Sequence, residues 1–143
     1  MNYFRKQCIE WCYNRSENGR YGDQLYMNDW PDKYEKVGII SNIGINATAW
    51  YSHASVMSGK NQLTINECPI VFYHYSGFLS FNKNEFDLCF YVKLPQKLIR
   101  LVYIPYINEI IDKMGIVDKI DKNIYDKSVK KIQDYTVKNY ISY

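Results

Sequence analysis

Three side chains in this sequence carry the groups that polar chemistry needs: Asp23, Gln24 and His74. Asp23 and Gln24 follow Gly22 and open a predicted helix over residues 23–35, which has an apolar face. A carboxylate and a carboxamide thus stand side by side at a helix start, where backbone N–H groups and the helix dipole favour anionic ligands. Local chemistry alone favours a simpler interpretation, in which Asp23 only caps the helix and Gln24 only faces solvent.

His74 is the second candidate, at the end of the predicted strand Pro69–His74. This strand is mostly apolar, which predicts burial on both of its faces. Active-site residues of α/β sheets often follow such strands, and an imidazole there could bind a metal ion. A core histidine that is hydrogen-bonded to a carbonyl explains the pattern equally well, so both interpretations stay open.

The four cysteines, Cys8, Cys12, Cys68 and Cys89, show neither a disulfide framework nor paired C-x-x-C zinc spacing. Cys8 and Cys12 are four residues apart, so on a helix they share a face, and we interpret them as small buried apolar groups. A zinc site that combines them with His53 or His74 is the less favoured alternative.

Length and composition exclude several classes of protein. A chain of 143 residues with 47% hydrophobic content predicts one globular domain with a true core. A net charge of +3 is too small to indicate nucleic-acid binding. The sequence has neither an apolar run long enough for a membrane span nor a signal peptide, so we expect a reducing, cytoplasmic location. Its fifteen tyrosines provide flat apolar faces with polar handles, which suit sugar rings as well as half-buried surfaces.

Periodicity predicts an α+β fold, in which a small mixed sheet or hairpin packs with several helices. We expect helices over residues 2–14, 23–35 (broken near Pro31), 96–114 (kinked at Pro105 and closed by Gly115) and 117–141. We expect strands over residues 37–40, a hairpin of 53–57 with 62–65, and the strand 69–74.

Five stretches fall in an order that resembles the C-terminal part of a bacterial GT-A type nucleotide-sugar glycosyltransferase, related to glycosyltransferase family 8. The resemblance covers about residues 4–112 of the chain. The stretches that carry it are Cys8-Ile9-Glu10-Trp11-Cys12, Gly22-Asp23-Gln24, Asp29-Trp30-Pro31, Asn46-Ala47-Thr48-Ala49-Trp50, and Pro69 to His74-Tyr75-Ser76-Gly77.

The resemblance implies a role for each candidate residue. Asp23 would bind sugar hydroxyls, and Gln24 would stabilise oxocarbenium-like charge at the reacting carbon. His74 would be one ligand of a Mn²⁺ ion that neutralises the diphosphate of a UDP-hexose. The remaining positions would bind donor or acceptor sugar: Asn46, Trp50, Tyr75 and Gly77.

This chain departs from the family pattern in two ways that bear on its activity. It has no Asp-x-Asp metal motif and no uridine-binding N-terminal sheet, and Phe78-Leu79-Ser80 stands where the family often has a diphosphate-binding Lys-Pro-Trp. We therefore expect the C-terminal portion of an enzyme of surface polysaccharide or lipopolysaccharide synthesis, inactive alone and without tight Mn²⁺ binding. Without the nucleotide-binding sheet, Trp11 and Phe72 would lose their cover, which predicts either self-association or a rearranged core that buries them.

Two other classes of function stay open. The chain could be a non-catalytic module that binds glycan or protein, as a homo-oligomer or docked on a separately encoded N-terminal half. The lysines of the predicted helix 117–141 could instead contact the inner membrane surface, although interspersed aspartates favour an ordinary solvated face.

Overall fold

A computed structural model describes residues 2–51, 56–58, 62–121, 129–132 and 136–143, with backbone only for 56–58. The chain forms two compact units, Met1–Ser41 and Asn42–Tyr143. The single domain over residues 1–143 that the sequence predicts stays a prediction. Helices and small sheets together give the α+β class that the sequence predicted. His53 and part of the predicted hairpin turn lie outside the described residues.

The first unit is built from short helical segments. Helix α1 spans Asn2–Glu10, a 3₁₀ turn spans Gln24–Met27, and helix α2 spans Trp30–Lys33. The predicted helix over 23–35 is thus two pieces, and Pro31 lies in the first turn of α2, where its missing N–H costs nothing. The predicted strand 37–40 is absent from the first unit, in which those residues have no regular structure.

Aromatic contacts hold the first unit together. Phe4 of α1 packs edge-to-face on Trp30 of α2, with ring centroids 5.6 Å apart. Trp11 is buried, and its carbonyl accepts a hydrogen bond from the Tyr26 hydroxyl at 2.9 Å. The sequence analysis predicted that Trp11 and Phe72 would either drive self-association or be buried in a rearranged core. Of these two side chains, Trp11 is buried.

The described residues of the second unit form three small sheets. Strands β1 (Ala47–Thr48) and β5 (Tyr73–His74) pair in parallel. Strands β2 (Val56–Ser58), β3 (Leu63–Ile65) and β4 (Cys68–Pro69) form an antiparallel sheet, which confirms the predicted hairpin where the chain is described. The third sheet is also antiparallel, with the order β6 (Leu79–Ser80), β7 (Glu85–Asp87) and β8 (Tyr140–Ser142).

The predicted strand 69–74 is wrong in its middle. The backbone N–H groups of Val71 and Phe72 both donate to the carbonyl of Gly44, at 2.8 and 3.2 Å, so the chain bends around Gly44 and does not extend. The side chains of Val71 and Phe72 are 72% and 58% exposed, which contradicts the predicted burial on both faces. Apolar character alone did not place this segment inside the protein.

A continuous helical segment spans residues 96–120. It begins with α3 (Gln96–Leu98), widens into a π turn (Ile99–Tyr103), and continues as α4 (Ile104–Ile120). The π turn ends two residues before Pro105, which cannot donate a backbone hydrogen bond, so the helix changes type locally beside this proline. Gly115 lies inside α4 and does not cap it, contrary to our prediction.

The predicted C-terminal helix 117–141 is confirmed for residues 117–120, which belong to α4, and is wrong for residues 138–141. Helix α4 ends at Ile120, and Tyr140–Ser142 forms strand β8. The side chain of Asp87 accepts hydrogen bonds from the backbone N–H groups of Lys138 and Asn139, which therefore cannot serve a helix. The core of the second unit lies between these sheets and the helical segment, and its buried side chains include Ile65, Phe86, Leu88, Cys89, Leu94, Leu98, Val102, Tyr103 and Ile107.

Candidate functional sites

A pocket of about 320 Å³ in the first unit is lined by Asp23 and Gln24. The end of α1 and the turn at Gly22, whose φ is +53°, position the lining residues. Across the pocket the Tyr21 hydroxyl donates to Asn14 Oδ1 at 2.8 Å. The complete lining comprises Cys12, Tyr13, Asn14, Tyr21, Gly22, Asp23 and Gln24. Carboxylate, carboxamide and tyrosine groups therefore share one concave surface.

The structure excludes the simple capping role for Asp23. Asp23 stands at the N-cap position of the 3₁₀ turn, but its side chain makes no capping hydrogen bond and its φ and ψ of −91° and −31° are already helical. A capping side chain normally requires extended backbone at that position. Both Asp23 and Gln24 are exposed, so their polar groups are accessible to a molecule in the pocket.

Cys12 lines this pocket, and its thiol interacts with that of Cys8. Partial burial, the Cys12 thiol and the charge of Asp23 all raise the pKa of the Cys8 thiol, in that order of importance. A raised pKa lowers the thiolate fraction at neutral pH, and thiolate is the nucleophilic and metal-binding form. Cys8 is partly buried, whereas Cys12 is exposed, so the expectation of two buried apolar groups is wrong for Cys12.

In the second unit, the parallel pairing of β1 with β5 joins two of the stretches singled out in the sequence. Thr48 is in register with His74, so the Asn46–Trp50 stretch runs beside the His74–Gly77 stretch. Asn46 ends a 3₁₀ turn that spans Ile43–Asn46 and is exposed. His74 is also exposed, which excludes the alternative of a buried core histidine.

An exposed aromatic side chain, Trp50, lies beside His74, and a second one, Tyr91, lies beside Trp50. The Trp50 ring meets the His74 imidazole edge-to-face, with centroids 6.4 Å apart. The centroid of the Trp50 ring lies 6.0 Å from that of Tyr91, with 32° between the ring planes. Trp50 is 57% and Tyr91 45% exposed. We name Trp50 and Tyr91 together the aromatic platform.

Gly77 positions Tyr91. Its φ is +79°, a conformation that other residues rarely adopt, and a Cβ at this position would lie 2.5 Å from Cδ2 of the Tyr91 ring. The Gly77 carbonyl also accepts a hydrogen bond from the N–H of Phe90 at 3.1 Å. Gly77 is thus required by the packing of the Tyr91 ring, and this role is independent of any ligand.

Tyr75 belongs to a cluster of tyrosines packed on the helical segment. Its ring stacks on Tyr106 with centroids 3.6 Å apart, and its hydroxyl donates weakly to the Val102 carbonyl at 3.4 Å. The Tyr73 hydroxyl donates to that of the buried Tyr103 at 3.3 Å. Burial raises the pKa of Tyr75 and of Tyr73 to about 12 each, and that of Tyr103 still further. The structure therefore gives Tyr75 a packing role.

The part of the chain that the structure describes does not assemble a metal site. Within it, no three histidine, cysteine, aspartate or glutamate side chains come close enough to hold an ion. His74 is accessible, but a single imidazole does not satisfy the coordination of Mn²⁺, which takes several oxygen-rich ligands. The residues present therefore do not fit the metal that the resemblance implies.

The predicted site residues fall into two groups. Asp23 and Gln24 lie in the first unit, and Asn46, Trp50, His74, Tyr75 and Gly77 lie in the second. Our prediction that Asp23, Gln24 and His74 converge on one concave surface stays a prediction. Sequence reasoning missed Tyr13, Tyr21 and Tyr91, because tyrosines are so frequent here that no single one stands out.

Comparison with known proteins finds two relatives in Bacillus subtilis (strain 168). Uncharacterized protein YfnD is 35% identical over 108 residues, which cover 73% of this chain and 35% of YfnD. Uncharacterized protein YfnF is 29% identical over 87 residues, which cover 59% of this chain and 29% of YfnF. The chain thus spans about a third of the length of these relatives, and their names state no activity.

Other comparisons give no match. No protein-family model matches the chain, and no solved structure does so either. Within the described residues, no helix combines the length and the apolar character that crossing a membrane requires.

Proposed function

We propose that this chain is the C-terminal portion of a nucleotide-sugar-dependent glycosyltransferase of the GT-A type related to family 8, which acts in surface polysaccharide or lipopolysaccharide synthesis. The donor is a UDP-hexose and the acceptor is a glycan. The complete enzyme works in the cytoplasm at the inner membrane surface and uses Mn²⁺. The isolated chain does not transfer sugar.

The observation that carries this proposal is the pocket around Asp23 and Gln24. Sugar sites typically combine carboxylate and carboxamide groups, which bind hydroxyls, with aromatic rings that cover the apolar face of the pyranose. The pocket supplies both kinds of group, with Tyr13 and Tyr21 beside Asn14, Asp23 and Gln24. Since Asp23 does not cap the 3₁₀ turn, its carboxylate is available for such hydroxyls.

Two further observations support the proposal. The pairing of β1 with β5 places the Asn46–Trp50 stretch beside His74, as two parts of one site require. The relatives are about three times as long as the part they share with this chain. This length agrees with a catalytic centre whose metal and uridine sites lie on a further polypeptide segment.

Saturation-transfer NMR with UDP-glucose, UDP-galactose and UDP-N-acetylglucosamine tests the proposal on the isolated chain. We expect weak, Mn²⁺-independent saturation of hexose protons, more than of uridine protons, which Asp23→Asn and Gln24→Ala reduce. Asp32→Asn is the matched control, since Asp32 is another exposed aspartate of the first unit, in the first turn of α2. Absence of hexose saturation, sugar transfer by the isolated chain, or tight Mn²⁺-dependent UDP binding would each contradict the proposal.

A non-catalytic glycan-binding or protein-interaction module, as a homo-oligomer or with a separately encoded partner, is the second candidate. The observation that favours it is the exposure of Val71 and Phe72 in the second unit. Apolar side chains that stay exposed together commonly mark a contact surface. The two candidate functions make different predictions for the pocket of the first unit. The glycosyltransferase requires Asp23 and Gln24 for sugar binding, whereas an interaction module does not.

A further inference from the structure

The second unit exposes two large aromatic rings that its own packing holds in place. Trp50 belongs to a 3₁₀ turn (Ala49–Tyr51) that directly follows β1, and it also contacts the ring of His74. Tyr91 packs against Phe90, with ring centroids 4.0 Å apart, and against the backbone at Gly77. Exposed aromatic side chains held in this way lose little conformational entropy on binding, so they suit a ligand site.

The position of the Tyr91 ring requires glycine at position 77, and this requirement lowers the stability of the folded state. Gly77 adopts a positive φ, and a side chain there would collide with the Tyr91 ring at 2.5 and 2.8 Å. Glycine at such a position weakens the folded state through the entropy of the unfolded chain. The ring that Gly77 accommodates is only partly covered, because Tyr91 remains 45% exposed, so a held aromatic surface stays accessible to a ligand.

We propose that the aromatic platform stacks a pyranose ring of a neutral oligosaccharide, and that Tyr91 is a saccharide-binding residue positioned by Gly77. Both rings carry a polar group at the rim, the Trp50 indole N–H and the Tyr91 hydroxyl, and the exposed His74 imidazole adds a third. Ring faces cover the C–H face of a sugar, while these polar groups bind its hydroxyls. The choice of a saccharide over an apolar peptide rests on the proposed function.

The test uses the full chain and three neutral probes, maltohexaose, cellohexaose and chitotetraose, with binding followed by tryptophan fluorescence and saturation-transfer NMR. We expect at least one probe to bind and Tyr91→Ala to weaken it about tenfold, because truncation of a central aromatic contact typically costs this much. Tyr91→Phe should keep most of the affinity, since it retains the ring. Gly77→Ala should resemble Tyr91→Ala, since it displaces the Tyr91 ring.

Two controls separate this proposal from others. Tyr143→Ala removes a tyrosine of the same unit with matched exposure, 46% against 45%, and should leave binding unchanged. Asp32→Asn alters an exposed carboxylate of the first unit outside its pocket and should not affect oligosaccharide binding at the platform. UDP-hexose binding by Tyr91→Ala, measured separately, should equal that of wild type, so the failure of either proposal is visible without the other. Thermal unfolding of each variant identifies any that fail to fold. If Tyr91→Ala does so, Trp50→Leu, which removes the other ring of the platform and should also weaken binding, keeps the proposal testable.

The proposal is overturned if none of the three probes binds at millimolar concentration, or if Tyr91→Ala binds as well as wild type. Loss of self-association in Tyr91→Ala without any effect on saccharide binding would also overturn it. That result would assign the platform to a protein partner.

Discussion

The backbone N–H of Asn139 donates to the buried carboxylate of Asp87 at 3.0 Å, across more than fifty residues of sequence. The same carboxylate accepts from the N–H groups of Cys89 at 3.2 Å and Lys138 at 2.9 Å. Asn139 in turn accepts from the Leu94 N–H at 2.8 Å and donates to the carbonyls of Cys89 and Val92. These two side chains attach the C-terminal segment to the core.

We therefore expect Asp87→Asn to destabilise the second unit strongly. The amide keeps the shape of the side chain but removes the charge and turns an N–H₂ group toward backbone donors, which leaves at least one buried N–H unsatisfied. The free energy of unfolding, measured with urea, should fall by about 2–3 kcal/mol.

Asp112→Asn is the matched control for this prediction. The Asp112 side chain is 69% exposed and pairs with Lys113, so its loss should change stability by less than about 0.5 kcal/mol. Equal effects of the two substitutions would show that the buried network does not stabilise the unit.

Gly115 offers a stabilising substitution. It lies in the middle of α4, and a Cβ there would meet no atom within 4 Å. We expect Gly115→Ala to raise the free energy of unfolding by about 0.5–1 kcal/mol, because alanine loses less backbone entropy on helix formation. Thermal unfolding followed by circular dichroism measures this change.

Gly44→Ala is the opposite case and serves as the comparison. A Cβ on Gly44 would lie 1.8 Å from the Pro69 carbonyl oxygen, so this substitution should cost about 2 kcal/mol or more. Destabilisation by Gly115→Ala would contradict the continuous helix that the structure shows.

These two glycines also show what sequence reasoning could and could not reach. The α+β class and the hairpin of β2 with β3 followed from alternation and turn residues. Gly115 was predicted to end a helix because glycine commonly does so, but only the packing of α4 decides that the helix continues. Gly44 carried no signal, since its role depends on the approach of Pro69, which is distant in sequence.

The same distinction applies to the candidate sites. Asp23, Gln24 and His74 became candidates through their residue types together with the resemblance of their surrounding stretches to a known family, and the structure shows all three to be exposed. Tyr91 was not found, because its position depends on the contact with Gly77 and on no local motif. The error at Val71 and Phe72 has a similar cause, since two hydrogen bonds to Gly44 override the apolar pattern.

The tyrosine cluster predicts sensitivity to alkaline pH. Burial raises the pKa of Tyr73 and Tyr75 to about 12, against an ordinary value of about 10 in the unfolded chain. Between these values the folded state holds more protons than the unfolded state, so stability falls as pH rises. The contribution is fully present below pH about 10 and is lost by pH about 12.

Urea unfolding midpoints measured from pH 8 to pH 11.5 check this expectation. Tyr75→Phe should flatten the decline, since it removes one titrating group and only a weak hydrogen bond of 3.4 Å. Tyr13→Phe, at an exposed position of the first unit, should leave the pH dependence unchanged. A decline of equal steepness in wild type and Tyr75→Phe would exclude Tyr75 as its source.

The exposed segment at Val71 and Phe72 predicts self-association of the isolated chain. These side chains are 72% and 58% exposed, and Ile45, which precedes β1 in the same unit, is 38% exposed. Apolar groups clustered at a surface favour burial against a partner, and in the isolated chain the available partner is a second copy. We expect sedimentation equilibrium to show a concentration-dependent oligomer that Val71→Lys and Phe72→Ser weaken.

Ile120→Ser is the control, because Ile120 is 77% exposed at the end of α4, away in sequence from this segment. A stable monomer with Val71 and Phe72 still exposed would argue against a chain that has lost its covering sheet, since that interpretation requires the uncovered surface to seek a partner.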